Sequence, residues 1–317
     1  MGGYGQVIKP TIRRANRLFF WVLVLGLLVA VPMQLHNLYL GITINELAVI
    51  LGLTIVFLLR DRLPVRPTLR LRLVSGQTLL LGFVAGLLGW WIATFLANAV
   101  ALYYTRIGVL PPQPFPSITN GRQLAEALVV LGLLPGFCEE TMFRGYILRA
   151  YQRLGAGRAI LASAFLFALM HLSLQNLLAN LFLGLLLGCL VYFSDSLIPG
   201  IVSHVTNNAL ALTVSYLGQI YQPALVASAQ VEPGAVLILG VGAALAIIPL
   251  YLVVLRLRTQ LRRPGAEIGF PPPAQEDCQE RGGGLWESLS EWPIAVALVV
   301  FLVMAGVELA TVLGLLG

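Results

Sequence analysis

The chain has 317 residues, of which 58% are hydrophobic and only 11% are charged. Its mean hydropathy is +0.86, whereas a soluble domain carries about 25% charged residues. This composition excludes a soluble nucleic-acid-binding protein, despite the net charge of +6. It predicts an all-α protein that crosses a lipid bilayer several times, because long apolar runs span membranes as helices.

Nine apolar runs follow one another along the sequence. Residues 1–17 are polar, and the run 18–36 is too long for the core of a cleaved signal peptide, so it predicts a first, uncleaved membrane helix. The further predicted spans are 42–59, 78–104, 123–138, 159–173, 177–193, 198–217, 235–255 and 293–315. The fourth, fifth and seventh of the nine are short or interrupted by polar residues.

Two segments are rich in proline or glycine and predict irregular structure. Residues 105–121 contain four prolines and are expected to form an extended external loop. Residues 257–292 combine charged residues with Pro271–Pro273 and Gly282–Gly284, which is typical of a flexible cytoplasmic linker. The C-terminal helix within 293–317 is therefore interpreted as an appendage to an eight-helix core, 18–256.

The basic residues predict the orientation in the membrane. With the N-terminus in the cytoplasm and nine alternating spans, 18 of the 20 Lys and Arg residues fall in cytoplasmic segments. Only Arg106 and Arg122 fall outside. We expect the plasma membrane of a prokaryote, with the Glu139/Glu140 pair at the cytoplasmic end of its helix.

The most informative stretch contains Glu139, Glu140 and Arg144, directly behind an apolar run. On a helix, Glu140 and Arg144 are four residues apart and can pair, whereas Glu139 projects in another direction. The pattern predicts one carboxylate neutralised by Arg144 and one that is free and partly desolvated. Burial makes such a carboxylate a better base near neutral pH. The structural alternative is an ion pair at a helix end.

Two histidines and an amide lie in the predicted spans that follow. His171 ends an apolar helix, and His204 lies four residues before Asn208, on the same helical face. Each group needs a polar partner inside a membrane. Together with the glutamates they occur on four consecutive helices, so we predict that they share one polar pocket.

Three chemistries are compatible with this pocket. In the first, Glu139 with His171 deprotonates a water, while His204 and Asn208 donate to the oxyanion of an attacked amide. In the second, His171, His204 and a glutamate such as Glu139 bind zinc, which activates the water. In the third, the groups form a proton or ion relay in a transporter. The Asn208 donor beside His204 favours the metal-free reaction.

Cysteine and serine chemistry is less well supported. Cys138, Cys189 and Cys278 have no paired spacing, so neither a disulfide framework nor a cysteine metal site is indicated. Cys138 lies beside anions, which disfavour its thiolate. Ser203 adjoins His204 in the sequence, but neighbours on a helix do not face each other.

The three motifs together resemble the signature of the CPBP intramembrane proteases. They are Glu139-Glu140-x-x-x-Arg144, Phe167-x-x-x-His171 and His204-x-x-x-Asn208. The family groups type II CAAX prenyl endopeptidases with bacteriocin-processing and self-immunity proteins, and the resemblance covers about 120–215. It implies an eight-helix core with a catalytic cavity open toward the cytoplasm, which agrees with the side derived from the basic residues.

The resemblance also implies roles for the motif residues. Glu139 and His171 would activate the water, and His204 and Asn208 would stabilise the oxyanion. Glu140, Arg144 and Phe167 would support the site. The family has been described both as metal-dependent and as glutamate-based, so zinc is a possible cofactor, with His171, His204 and Glu139 as its ligands.

The predicted function is therefore an intramembrane endopeptidase that acts on membrane-associated, lipidated or processed peptides. The alternative is a non-proteolytic adaptor, an immunity protein or a transporter on the same fold. Complete acid–base and oxyanion groups favour the protease, and a transporter should show broken helices in two related halves. Gly184-x-x-x-Gly188 predicts close helix packing. Two interpretations are open for Asn176, Asn180, Thr206 and Asn207: they line the pocket or, as the favoured alternative, they pack within the bundle. Glu308 is interpreted as a residue that faces the bundle or a partner.

Overall fold

The computed structural model describes residues 10–107, 116–223, 231–261 and 284–312, and these ranges contain helices and no strand. The nine main helices are α1 (Ile12–His36), α2 (Leu38–Arg60), α3 (Gly76–Arg106), α4 (121–154), α5 (Ala156–Met170), α6 (Leu177–Ser194), α7 (Ile198–Tyr221), α8 (Pro233–Leu261) and α9 (Trp292–Val312). One main helix therefore lies at each of the nine predicted spans.

Six of these helices, α1, α2, α3, α6, α8 and α9, are long and apolar enough to cross a membrane. The other three, α4, α5 and α7, carry the glutamate and histidine motifs. Of these, α5 is apolar but has only 15 residues. The chain is therefore an all-α, multi-pass membrane protein, with its polar motifs on three inner helices.

The position predicted for the Glu139/Glu140 pair at a helix end is wrong. Helix α4 runs from 121 to 154, including the π-helical segments Leu128–Leu133 and Thr141–Ile147 and a final 3₁₀ turn. It continues beyond the pair because Phe143, Tyr146 and Leu148 are fully buried in the core. The two glutamates therefore lie in the interior of a long helix.

The last helix is part of the core, not an appendage. Ile294, Ala297, Phe301 and Ala305 of α9 belong to the same hydrophobic cluster as buried residues of α1, α4 and α5. The predicted linker, 257–292, lies partly outside the described residues. Its described ends are helical, because α8 reaches Leu261 and a short helix covers Leu285–Leu289. Residues 108–115 of the predicted loop 105–121 and the first nine residues also lie outside the described ranges.

Glycines allow the inner helices to approach closely. A Cβ atom on Gly184 of α6 would lie 2.8 Å from Ala164 of α5, and one on Gly188 would lie 3.0 Å from Ile160. The packing predicted for this glycine pair is confirmed. Gly82 of α3 similarly allows contact with the backbone of Pro199 at the start of α7. Such contacts hold membrane helices together where lipid removes the hydrophobic driving force.

A buried ion cluster joins two connections and the end of one helix on one face of the bundle. Arg70, in the α2–α3 connection, donates to Asp195 in the α6–α7 connection (3.2 Å) and to Gln152 at the end of α4 (3.1 Å). Its Nη1 also donates to the backbone oxygen of Arg144 (2.9 Å). Burial lowers the pKa of Arg70, and the Asp195 carboxylate opposes this shift.

Candidate active site

A cavity of about 310 Å³ lies between the inner helices and is lined by residues of all three motifs. Glu139, Phe167, His171, His204 and Asn208 all line it, although they come from three different helices and one helix end. The structure therefore brings the predicted site residues together around one space. Glu140 and Arg144 lie directly behind it and are fully buried.

Glu140 and Arg144 form the predicted ion pair, with 2.6 Å between Oε1 and Nη1. The guanidinium also donates from Nη2 to the backbone oxygen of Gly184 (3.1 Å) and lies 4.5 Å from the centre of the Phe167 ring. These contacts balance the charge of Glu140 inside the bundle. They also connect α4 to α5 and α6, which hold the other walls of the cavity.

Glu139 has a different environment from its neighbour. It lines the cavity, and its Oε2 is buried with no hydrogen-bond partner among the described residues. The side chain is close to His204, with 3.9 Å between Oε2 and Nε2. Glu139 thus lines the cavity with a carboxylate whose Oε2 accepts no hydrogen bond from the described residues, which is compatible with a base that activates water.

His204 lies between the two carboxylates. Its Nδ1 is 3.1 Å from Oε1 of Glu140, which as a carboxylate oxygen accepts the proton of this hydrogen bond. This contact leaves Nε2 facing Glu139 and the cavity. If Nε2 also carries a proton, the ring becomes a cationic donor, and the two glutamates provide its counter-charge.

Phe167 organises the second histidine. Its backbone oxygen accepts a hydrogen bond from Nδ1 of His171 (2.9 Å), because a carbonyl can only accept. The Nε2 atom of neutral His171 therefore keeps its lone pair. The Phe167 ring packs against both histidines, with centroid distances of 4.8 Å to His171 and 5.8 Å to His204.

Two adjacent amides complete the polar wall. Asn208 donates to the backbone oxygen of Leu131 (3.3 Å) and accepts from Asn207 (3.2 Å). An amide nitrogen carries two protons, so Asn208 retains one N–H for a ligand. Of the two interpretations given for these residues, the pocket-lining one holds for Asn180 and Asn207, whereas Asn176 and Thr206 bond within their own segments.

Glu46 also lines the cavity, although none of the three sequence motifs contains it. Glu46 and its neighbour Asn45 lie in the π-helical segment Asn45–Gly52 of α2, and both line the cavity. Glu46 is only 3% exposed, and its Oε2 has no hydrogen-bond partner among the described residues. A lone carboxylate inside a predicted span is itself a signal of function and could have identified this residue.

The proposed zinc ligands do not form a metal-binding group. Glu139, His171 and His204 line one cavity, but within the described ranges no three His, Cys, Asp or Glu side chains are placed to hold an ion. A catalytic zinc site needs three protein ligands at about 2.0–2.2 Å. The arrangement does not fit such a site, and zinc dependence stays a prediction.

The comparison with known families agrees with this geometry. Residues 122–210 match the family model of Rce1-like type II CAAX prenyl endopeptidases, and this range contains all three motifs. No curated protein and no solved structure matches the chain. The resemblance noted in the motifs is thereby confirmed. Residues 122–210 of this all-α, multi-pass membrane protein are thus similar to the type II CAAX prenyl endopeptidase domain.

Proposed function

We propose that the protein is an intramembrane endopeptidase that hydrolyses a peptide bond with a water activated by Glu139. One observation carries this proposal: Glu139, whose buried Oε2 has no hydrogen-bond partner among the described residues, lines a cavity together with His171, His204 and Asn208. The family match supports proteolysis at the level of reaction class. The substrates would be membrane-associated peptides, with or without a lipid group.

The first chemical step follows from the positions of these side chains. Glu139 takes a proton from the water as the water oxygen attacks the carbonyl carbon of the substrate. The lone pair of His171 Nε2 accepts the second hydrogen bond of that water. The Nε2–H of a doubly protonated His204 and the second N–H of Asn208 donate to the oxyanion that develops on the carbonyl oxygen.

The second step restores the enzyme. The tetrahedral intermediate collapses, the carbon–nitrogen bond breaks, and Glu139 returns its proton to the leaving nitrogen. One water molecule is thus added across the peptide bond, and no group on the protein is consumed. Glu140, held by Arg144, keeps the His204 ring oriented through both steps.

The orientation in the membrane is also a proposal. We call the face of the bundle that carries the contacts of Arg70 with Asp195 and Gln152 the Arg70 face. The basic segments predict that this face and the N-terminus lie in the cytoplasm. The cavity residues of α2 and α6, which include Asn45, Glu46 and Asn180, lie in the halves of these helices that are remote from this face. The charge-based orientation thus places the cavity toward the outer side, whereas the family resemblance implies a cytoplasmic opening.

The proposed activity is tested by comparing membrane peptides of a wild-type strain with those of a Glu139→Ala strain by mass spectrometry. An uncleaved precursor should accumulate in the variant, and its cleavage site would identify the substrate. If no precursor accumulates, the protease proposal fails. Purified protein should also cleave an internally quenched prenylated CAAX peptide or its unlipidated counterpart, and the preferred probe indicates whether lipid is recognised.

Exhaustive chelation distinguishes glutamate-based from metal-dependent hydrolysis. We expect detergent-purified protein to retain its cleavage rate after chelation, with the metal content of the same sample measured in parallel. His204→Gln should lower the rate without changing the metal content. Activity that disappears with zinc and returns with added zinc would contradict metal-free chemistry and make His204 a ligand.

A further inference from the structure

Glu308 on α9 makes three hydrogen bonds to groups far away in the sequence. Its Oε1 accepts from the Tyr104 hydroxyl (2.9 Å) and from the backbone N–H of Gln175 (2.8 Å). Its Oε2 accepts from the backbone N–H of Leu174 (2.7 Å). One carboxylate therefore joins the end of α3, the α5–α6 connection and the last helix.

The connection held by Glu308 carries a predicted catalytic group. It begins at His171, directly after α5, and continues to Asn176 before α6 starts at Leu177. Leu172 has a left-handed backbone with φ of 49°, a conformation that a leucine adopts only where its surroundings enforce it. The two N–H groups bound by Glu308 lie three and four residues after His171.

The charge of Glu308 suits this position for two reasons. The N–H groups of Leu174 and Gln175 precede the first turn of α6, where the helix dipole favours a negative charge. An ionised side chain in a membrane helix is costly unless polar groups surround it. The three donors meet this requirement, and in return the carboxylate fixes the connection that bears them.

The other end of the same connection also reaches the cavity. Ala179, Asn180 and Leu183, in the first two turns of α6, line the cavity together with His171. Glu308 itself does not line it. Its carboxylate thus binds the backbone of a short segment whose two ends lead to cavity residues, His171 on one side and Asn180 on the other.

We infer that Glu308 is a positioning residue, which holds His171 and the start of α6 in register with Glu139 for hydrolysis. This inference rests on the proposed endopeptidase function. It makes α9, which lies outside the family-matched range 122–210, part of the working site. Small displacements of catalytic groups can lower a rate by about 100-fold.

The test compares Glu308→Ala, Glu308→Gln and Tyr104→Phe with wild-type protein in detergent. The matched control is Glu287→Gln, an exposed glutamate on the short helix Leu285–Leu289. Hydrogen exchange of the peptide that covers 172–176 reports on the contact itself. Cleavage of the quenched peptide probe, analysed separately as kcat and KM, reports on its effect.

We expect Glu308→Ala to accelerate exchange at 172–176 and to lower kcat about 10- to 100-fold. KM should change little, because Glu308 does not touch the cavity where the ground-state substrate binds. Glu308→Gln keeps one acceptor oxygen and should show a smaller loss, and Tyr104→Phe, which leaves both backbone contacts, the smallest. Glu287→Gln should behave as wild type. Unchanged exchange within α7 shows that the variants remain folded.

Two results would overturn the inference. The first is a folded Glu308→Ala protein with wild-type kcat, and the second is a folded variant whose exchange at 172–176 is unchanged. A wild-type protein that cleaves neither probe while Glu308→Ala still loosens 172–176 would instead contradict the proposed function, since the contact would exist without proteolysis.

Discussion

Glu139 and Glu140 are neighbours in the sequence, but their contacts separate their functions. Glu140 is held by Arg144 and His204, whereas Glu139 lines the cavity and its buried Oε2 has no hydrogen-bond partner among the described residues. Burial of an unpaired carboxylate is costly for folding. The proposed reaction would account for its presence in the cavity, and the following prediction tests this assignment.

Replacement of Glu139 by Gln should abolish cleavage while the protein still folds. The amide keeps the size of the side chain but cannot accept a proton from water, and loss of a general base lowers rates about 10²–10⁴-fold. The matched control is Glu126→Gln on the same helix, where Glu126 pairs with Arg122 at an exposed position. Cleavage of the quenched peptide measures both. A wild-type rate in Glu139→Gln would show that another group is the base.

Arg144→Ala should lower stability as well as activity. Removal of the guanidinium strands Glu140 inside the bundle, and breaking a buried ion pair costs about 3–5 kcal/mol. Helix α4 offers its own control, since Arg122 and Glu126 form a pair with the same spacing at an exposed position. Arg122→Ala should therefore change the thermal midpoint little. Equal midpoints for the two variants would contradict the buried role of Arg144.

At the scale of helices, the cavity depends on the close approach of α5 and α6. Gly184 contributes to this contact in two ways. It leaves room for Ala164, and its backbone oxygen accepts a hydrogen bond from Arg144. The helix packing and the ion pair behind the cavity therefore share one residue. A larger side chain at this position must disturb both.

Gly184→Val is expected to destabilise the protein by about 1–3 kcal/mol, the usual cost of overpacking. Activity should fall as well, because α6 carries Asn180 and Leu183 of the cavity. Gly306→Val on α9 is the control, since a Cβ at Gly306 meets no atom within 4 Å. Thermal unfolding in detergent and peptide cleavage measure the two effects. Normal stability of Gly184→Val would show that α5 and α6 can separate freely.

The places of the helices were predictable because each depends on a local apolar run. The Glu140–Arg144 pair was predictable as well, since a helix fixes the spacing of residues four apart. The partners of Glu308 were not predictable, because they come from segments remote in the sequence. Leu174 is more than a hundred residues from Glu308, and only the tertiary packing brings its N–H group to the carboxylate.

On the scale of the whole molecule, two polar networks mark opposite faces of the bundle. Arg70, Asp195 and Gln152 connect the α2–α3 connection, the α6–α7 connection and the end of α4. Glu308 connects the end of α3 with the α5–α6 connection. Consecutive antiparallel helices place these two sets of connections on different sides. These hydrogen bonds thus assign each connection to one face of the bundle, independently of the number of basic residues in it.

Reporter fusions test which of the two faces is cytoplasmic. The basic residues predict that fusions in 60–77, 145–158 and 257–292 report the cytoplasm and that fusions in 105–121 report the outside. All fusions within the Arg70 face must agree with one another, because hydrogen bonds hold its connections together. This agreement is the internal control of the experiment.

The same fusions decide from which side a substrate reaches the cavity. Between the cavity and the Arg70 face lie Glu140, Arg144 and the backbone contact of Arg144 with Arg70. If the Arg70 face is cytoplasmic, we expect substrates to enter from the lipid or from outside, because these buried groups lie on the cytoplasmic side of Glu139 along α4. A fusion at 265 that reports the outside would overturn the orientation predicted from charge. The cavity would then lie toward the cytoplasm, as the family resemblance implies, and cytoplasmic lipidated peptides would become the first substrates to test.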